Sequence, residues 1–330
     1  MTAGATPHAP PAARFRYASA VFLLLVLGLL VHFLLPRLSE IGDSLALLRK
    51  MSWWTLALAL VAQSLSYVAN GFVLRTAVRL SDEEIGVGRA TAIVMAASTV
   101  ALVAGGAIGY GAAIQRWTRR SVKRSRTSLL AATLPPVFDG AALLMFALAS
   151  AVELLRTSRL PPATERALAI VFAIIVLIIA IVTFALIAPR RLAALLRRLG
   201  LRGGRSKQLI ETVKAVSRNI RRGKAKGAAA AALLNLLFDV LTLELVFVST
   251  GHPVSGRALI AGYGVPLLLG RWSFLPGGIA VVEVGMIATY VSLGLPAPVA
   301  VVAILTYRLI SFWLPTLAGI PTALYLQSAA

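Results

Sequence analysis

The chain has 330 residues, 58% of them hydrophobic and 14% charged, with a mean hydropathy of +0.85. Ordinary globular chains run at about 45–50% apolar and about 25% charged. A soluble domain, a disordered chain, collagen and a coiled coil are therefore all excluded, and a polytopic α-helical membrane protein remains. Lys and Arg number 33 against 12 acids, a net charge of +21, but they sit in short loops between apolar runs. That is the placement of the positive-inside rule beside anionic lipid, and it speaks against nucleic acid as a partner.

Residues 1–17 begin with a Pro/Ala-rich stretch and are expected to form a disordered cytoplasmic tail. Residues 18–327 read as one transmembrane domain. Arg14 and Arg16 precede an apolar run from Ala18 to Leu35, and only Pro36-Arg37 follows where a cleavage site would stand, so the run reads as a retained first span. Leu38, Ile41, Leu45 and Leu48 then suggest a short interfacial helix. Further apolar runs lie at 52–74, 90–115, 128–152, 167–188, 227–250, 258–294 and 298–327. Most fit the ~20 residues that cross a bilayer core, and two do not. The run 90–115 carries Gly105-Gly106 in its middle, while 258–294 is too long for one crossing and holds Arg271 and Pro276-Gly277-Gly278.

Charge parity bears on the first of these. If 90–115 dips in and returns to the same face, with the N-terminus inside, 24 basic residues lie inside and 7 outside. If it crosses, an N-out chain gives 22 inside and 9 outside, so charge alone leaves both arrangements open. The broken middle and the basic ends Arg89 and Arg116 favour re-entry, because irregular backbone at membrane depth is tolerated only where it is buried or lines a cavity. The expected fold is all-α, with about six full spans, two re-entrant broken-helix hairpins and an inverted repeat. The polar connection 189–226 has Leu192, Leu195, Leu196 and Leu199 at helical spacing among arginines, which reads as basic amphipathic helices on an anionic leaflet. A solvated cytoplasmic loop would show the same charge bias.

The chain has no cysteine, and His8, His32 and His252 form no ligand motif, so no metal or other cofactor is expected. The charges that fall inside spans are Asp139, Asp239, Glu244 and Glu283, with Arg271 and Arg308. Each costs at least ~2.5–3.5 kcal/mol at the bilayer centre unless it has a partner or a wet cavity, and such residues mark pathways. Leu275-Pro276-Gly277-Gly278 breaks its run just after Arg271. A half-helix starting at Gly278 would point a positive end at mid-membrane, suited to phosphate. Gly105-Gly106 echoes that break. Asp139 follows Gly105 by 34 residues as Arg308 follows Gly277 by 31, while Gly111 stands where the second copy has Glu283. Gly-Tyr-Gly occurs at 109–111 and 262–264 but lacks the Thr-Val that precedes it in potassium filters.

Pro276-Gly277-Gly278, then Glu283, Leu293-Gly294, and the span with Thr306-Tyr307-Arg308-Leu309-Ile310 resemble the C-terminal signature of the lysylphosphatidylglycerol synthase transmembrane region family. Gly105-Gly106 with Asp139 looks like that family's first-half motif, although Pro135-Pro136 departs from it. The resemblance implies a flippase-like domain. The synthase domain of fused members is not seen, so aminoacyl transfer is not expected.

The candidate substrate-binding set is Arg271, Pro276, Gly277, Gly278, Glu283 and Arg308 with Asp139, Asp239, Gly105 and Gly106. The expected function is a transporter, not an enzyme, moving an anionic phospholipid or lipid-linked substrate between the leaflets of a bacterial plasma (inner) membrane. The alternatives are a non-transporting scaffold for a lipid-modifying enzyme and a multispan enzyme acting on lipid-linked substrates. A homo-oligomer or such an enzyme is the partner to look for.

Overall fold

Apolar sequence that must satisfy its own backbone hydrogen bonds becomes helix, and in the computed structural model every element is helical. The structure describes residues 47–103, 106–157, 162–198, 226–273 and 275–328, with a few isolated positions between 210 and 223. The tail 1–17, the run 18–35, Gly105 and most of 199–225 lie outside the described residues.

The helices are α1 (Trp53–Arg79), α2 (Val87–Val103), α3 (Ala107–Arg119), α4 (Ser125–Thr157), α5 (Pro162–Ile187) and α6 (Pro189–Arg198). They continue with α7 (Lys226–Ser249), α8 (Gly256–Trp272), a 3₁₀ turn Pro276–Gly278, and α9 (Val281–Ser292). The last are α10 (Ala297–Arg308), a π turn Leu309–Trp313 and α11 (Leu314–Ser328). Among the described residues five stretches are long and apolar enough to cross a membrane: Trp53–Arg79, Thr127–Arg156, Leu168–Ile187, Lys226–Ser249 and Ala297–Ser328. The last runs through the π turn, which sits where Pro315 cannot donate to the preceding turn.

α1 and α7 form an antiparallel central pair. The Ser52 N–H donates to the Ser249 carbonyl at 3.0 Å, and Ser66 Oγ donates to Asn235 Oδ1 at 2.7 Å. At the far end a Cβ on Gly227 would lie 3.8 Å from Thr76. Buried Ala59, Ala62, Ala69, Ala228, Ala231 and Ala232 let the two helices approach closely.

Both broken runs are hairpins. Glu83, before α2, accepts from the Lys123 N–H at 2.6 Å, the Arg124 N–H at 3.1 Å and Thr127 Oγ1 at 2.8 Å, all beyond α3. The chain therefore leaves and returns at one place, and α2 packs along α3. Run 90–115 thus folds as a helical hairpin whose two ends meet, the arrangement that re-entry requires. In the second hairpin Gly285 faces Pro266, with a Cβ 3.1 Å away, and Gly278 faces Gly270 at 2.7 Å, an antiparallel register. Its two ends meet in a cleft lined by Gly251, His252 and Ser255 from the entry and Leu293, Gly294 and Pro296 from the exit.

The first hairpin starts from the C-terminal end of α1, the second from the C-terminal end of α7. Since α1 and α7 are antiparallel, the hairpins enter from opposite faces. The first arm of each leans on the long helix of the other half, α2 on α11 and α8 on α4, and the Pro276–Gly278 turn packs against α2. This is an inverted repeat. One face receives the base of the first hairpin, the start of α4, the end of α5, the start of α7 and the end of α11, where Arg120 Nη1 donates to the Leu326 carbonyl at 3.1 Å. That face carries the basic excess.

Candidate functional site

Between the hairpin tips the polar side chains of both halves gather into one cluster. The tip of the second hairpin is a turn that glycine alone permits. Gly277 and Gly278 have φ of 65° and 66°, a Cβ on Gly277 would collide with the Phe312 ring, and one on Gly278 would lie 2.7 Å from the Gly270 Cα. The half-helix beyond it starts at Val281 and not at Gly278, because Ala280 also takes a left-handed φ of 70°. Glu283 sits in its first turn, where the helix dipole favours a carboxylate. The positive end expected to meet phosphate is thus already complemented by the chain's own acid.

Glu283 pairs with Arg308, whose Nε donates to Oε1 at 2.7 Å. Arg308 Nη2 donates to the Gly277 carbonyl at 3.0 Å, and its guanidinium lies 4.4 Å above the Phe312 ring. The residue is 5% exposed. Its bonds to Glu283 and to the Gly277 carbonyl tie the hairpin tip to the last span. Arg271, at the end of α8, is instead exposed. Its charge acts on Asp139 of α4 and on Tyr110 of α3, so it reaches across to the first half.

Asp139 is 7% exposed. The Asn235 side-chain amide donates to it, and Asn235 is oriented in turn by Ser66, while Asp139 Oδ1 has no partner among the described residues. Asp239, one turn after Asn235 on α7, is partly exposed. Its Oδ2 accepts from Tyr263 at 2.6 Å and Tyr307 at 2.7 Å, with the Gln63 side chain nearby. Tyr67 of α1 completes the group, beside Ser98 of α2 and within electrostatic reach of Asp239 and Arg308.

Asp139, Asp239, Arg271, Gly277, Gly278, Glu283 and Arg308 are therefore brought together, and Pro276 shares the tip turn. Gly106 turns the first hairpin with a φ of 61°. Glu244 is exposed near the end of α7 and stands apart from the cluster. Sequence reasoning passed over the neutral partners Gln63, Ser66, Tyr67, Tyr110, Asn235, Tyr263 and Tyr307. Their signal was present: Gln63, Ser66, Tyr67 and Asn70 recur at helical spacing in one apolar span, and Asn235 stands four residues before Asp239. The two Gly-Tyr-Gly triplets are no filter. Each supplies one tyrosine, Tyr110 or Tyr263. Beside Tyr263, Gly262 makes room for Tyr290, and Gly264 brings α8 against the backbone of α4 at Phe146.

Residues 18–319 match the profile described as the lysylphosphatidylglycerol synthase TM region. A UPF0104 membrane protein of Methanothermobacter thermautotrophicus is 39% identical over 88 residues, 27% of this chain and 26% of that protein. One from Methanocaldococcus jannaschii is 34% identical over 88 residues, again 27% and 26%. The chain thus spans about a quarter of the length of the curated relatives it matches, and these relatives are archaeal.

Proposed function

Since this chain belongs to the lysylphosphatidylglycerol synthase TM region family, a multi-pass membrane architecture, we propose that it carries a lipid with an anionic or phosphate-bearing headgroup between leaflets. The observation that carries the reading is the meeting of two hairpins from opposite faces around a buried polar cluster with one exposed arginine, Arg271. A charged headgroup cannot cross hydrocarbon unless a polar path replaces its water. The cluster supplies such a path at mid-depth, and each hairpin blocks it from one side. Arg271 takes the phosphate, Asp139 holds Arg271 in place beforehand, and the Arg308–Glu283 pair fixes the hairpin tip. The plasma membrane is the place of action in keeping with the basic face.

The test is lipid exchange in vesicles containing the purified protein and phosphatidylglycerol with a fluorescent acyl chain. Wild type is expected to speed exchange between leaflets, and Arg271→Ala to return it to the rate of protein-free vesicles. A folded Arg271→Ala protein with the wild-type rate would remove Arg271 from the path. If wild type moves no lipid of a broad panel, the second reading takes over: a non-transporting scaffold whose basic helix α6, with Arg190 and Arg191 exposed, docks a lipid-modifying enzyme.

A further inference from the structure

The charges of the cluster do not balance for the cargo just proposed. Asp139, Asp239 and Glu283 stand against Arg271 and Arg308, three carboxylates to two guanidiniums, which leaves one negative charge before any headgroup arrives. Glu283 is matched by Arg308 at 2.7 Å. Asp239 is held by two tyrosine hydroxyls. Asp139 is the weak member. It is 7% exposed and its Oδ1 finds no donor among the described residues. The antiparallel register of α8 on α4, with Ser150 donating to the Ala261 carbonyl at 2.6 Å and Gly264 against Phe146, puts Arg271 level with it, and the charge of Arg271 acts on it. α1, α3, α5, α7 and α8 pack against α4. α8 presents Arg271, α3 presents Tyr110, and α7 presents Asn235 with Asp239 a turn away. α1 presents Ser66 and Tyr67, and residues 168–187 of α5 carry no titratable group.

An anionic headgroup that binds Arg271 therefore draws off the guanidinium that stands level with Asp139. A buried carboxylate left with one neutral donor becomes protonated rather than remain a naked charge. We propose that Asp139 is a proton-binding site coupled to the cargo: a proton from water joins Oδ1 as the headgroup engages Arg271, and it leaves when the headgroup departs and Arg271 returns. The protein is thus a proton–lipid symporter. This inference rests on the transport reading above, to which it adds the co-transported ion and the source of energy.

The sign follows from linkage. Cargo raises the affinity of Asp139 for a proton, so by reciprocity a proton raises the affinity for cargo. Affinity should fall about tenfold per pH unit over the interval in which binding takes up one proton. The probe is short-chain phosphatidylglycerol titrated into the full-length protein in detergent, from mildly acidic to mildly alkaline buffer. A pH dye in weak buffer counts protons on the wild type directly, so the result does not hang on a variant that folds. The expected outcomes are one proton taken up per lipid, the stated slope, and the loss of both proton uptake and slope in Asp139→Asn at whatever affinity that variant keeps. Wild-type binding without proton uptake, or an Asp139→Asn protein that keeps the slope, overturns the inference. Exchange in vesicles separates the two readings: pH-independent exchange leaves transport standing and removes the proton, whereas absence of both binding and exchange removes both.

Discussion

Arg308 shows how much a single buried charge constrains. It is matched by Glu283 and by the Gly277 carbonyl, and removing one partner of such a pair strands the other in a medium that cannot solvate it. Arg308→Ala should therefore destabilise by ~3–5 kcal/mol, measured as a drop in denaturation midpoint. Adding Glu283→Gln should recover part of that loss, because no unpaired carboxylate then remains. Adding Asp139→Asn should not, since Asp139 answers to Arg271. Strict additivity with Glu283→Gln would show that the pair is not coupled. At this scale the sequence was legible wherever a charge interrupted an apolar run, since charge in hydrocarbon has few explanations. The choice between Glu283 and Asp139 as the partner of Arg308 was not legible, because it depends on which helix face the hairpin tip presents. The tyrosines were passed over for a related reason: a tyrosine in a span is ordinary until its hydroxyl is seen to meet a carboxylate.

At the scale of elements, the two hairpins depend on different devices. The first is closed at its base by Glu83. Partial burial works against the charge of this carboxyl, yet the hydrogen bonds from Thr127, Lys123 and Arg124, with the Arg124 charge, hold it below the usual carboxylate range. A carboxylate depressed in the folded state stabilises at neutral pH, and that contribution fades as pH falls through its folded-state value, which lies below that of a free glutamate. The melting temperatures of wild type and Glu83→Gln should consequently differ at neutral pH and converge in acid. A difference that persists in acid would mean the clasp is not held by charge. The second hairpin is closed by glycine. At Gly264 a Cβ would run into the Phe146 carbonyl and lie 2.7 Å from the Ala147 Cα, a backbone that cannot step aside, whereas at Gly111 the nearest atom is 3.9 Å away. Gly264→Ala should cost about 1–3 kcal/mol by overpacking, and Gly111→Ala should be nearly neutral in the same denaturation measurement. Broken runs were visible from Gly105-Gly106 and Pro276-Gly277-Gly278. The start of α9 at Val281 was not, because a left-handed alanine at 280 follows from the tight packing of Gly278 on Gly270 and leaves no mark in composition.

For the whole molecule the decisive quantity is parity. The count of basic residues fits two arrangements almost equally well, since moving the N-terminus across the membrane compensates for straightening the first hairpin. What breaks the tie is a contact between residues forty positions apart, Glu83 with Lys123, and no local pattern encodes it. The consequence is physical and can be checked on intact vesicles. The chain has no cysteine, so single introduced thiols report cleanly. Ser81 and Ser121 flank the first hairpin and are partly exposed, while Ser255 and Ser292 flank the second and are exposed. Because α1 and α7 are antiparallel, the bases of the hairpins lie on opposite faces. Ser81→Cys and Ser121→Cys should share one side, the one bearing the basic excess, and resist a membrane-impermeant maleimide added outside oriented cells. Ser255→Cys and Ser292→Cys should both react. Opposite behaviour of Ser81→Cys and Ser121→Cys would mean that 87–119 crosses the membrane. Shared behaviour of all four would place both hairpins on one face, and an inverted repeat would then be ruled out. The same labelling bears on transport: two hairpins entering from one face would leave the cluster with a single approach, and a headgroup that entered it could leave only the way it came.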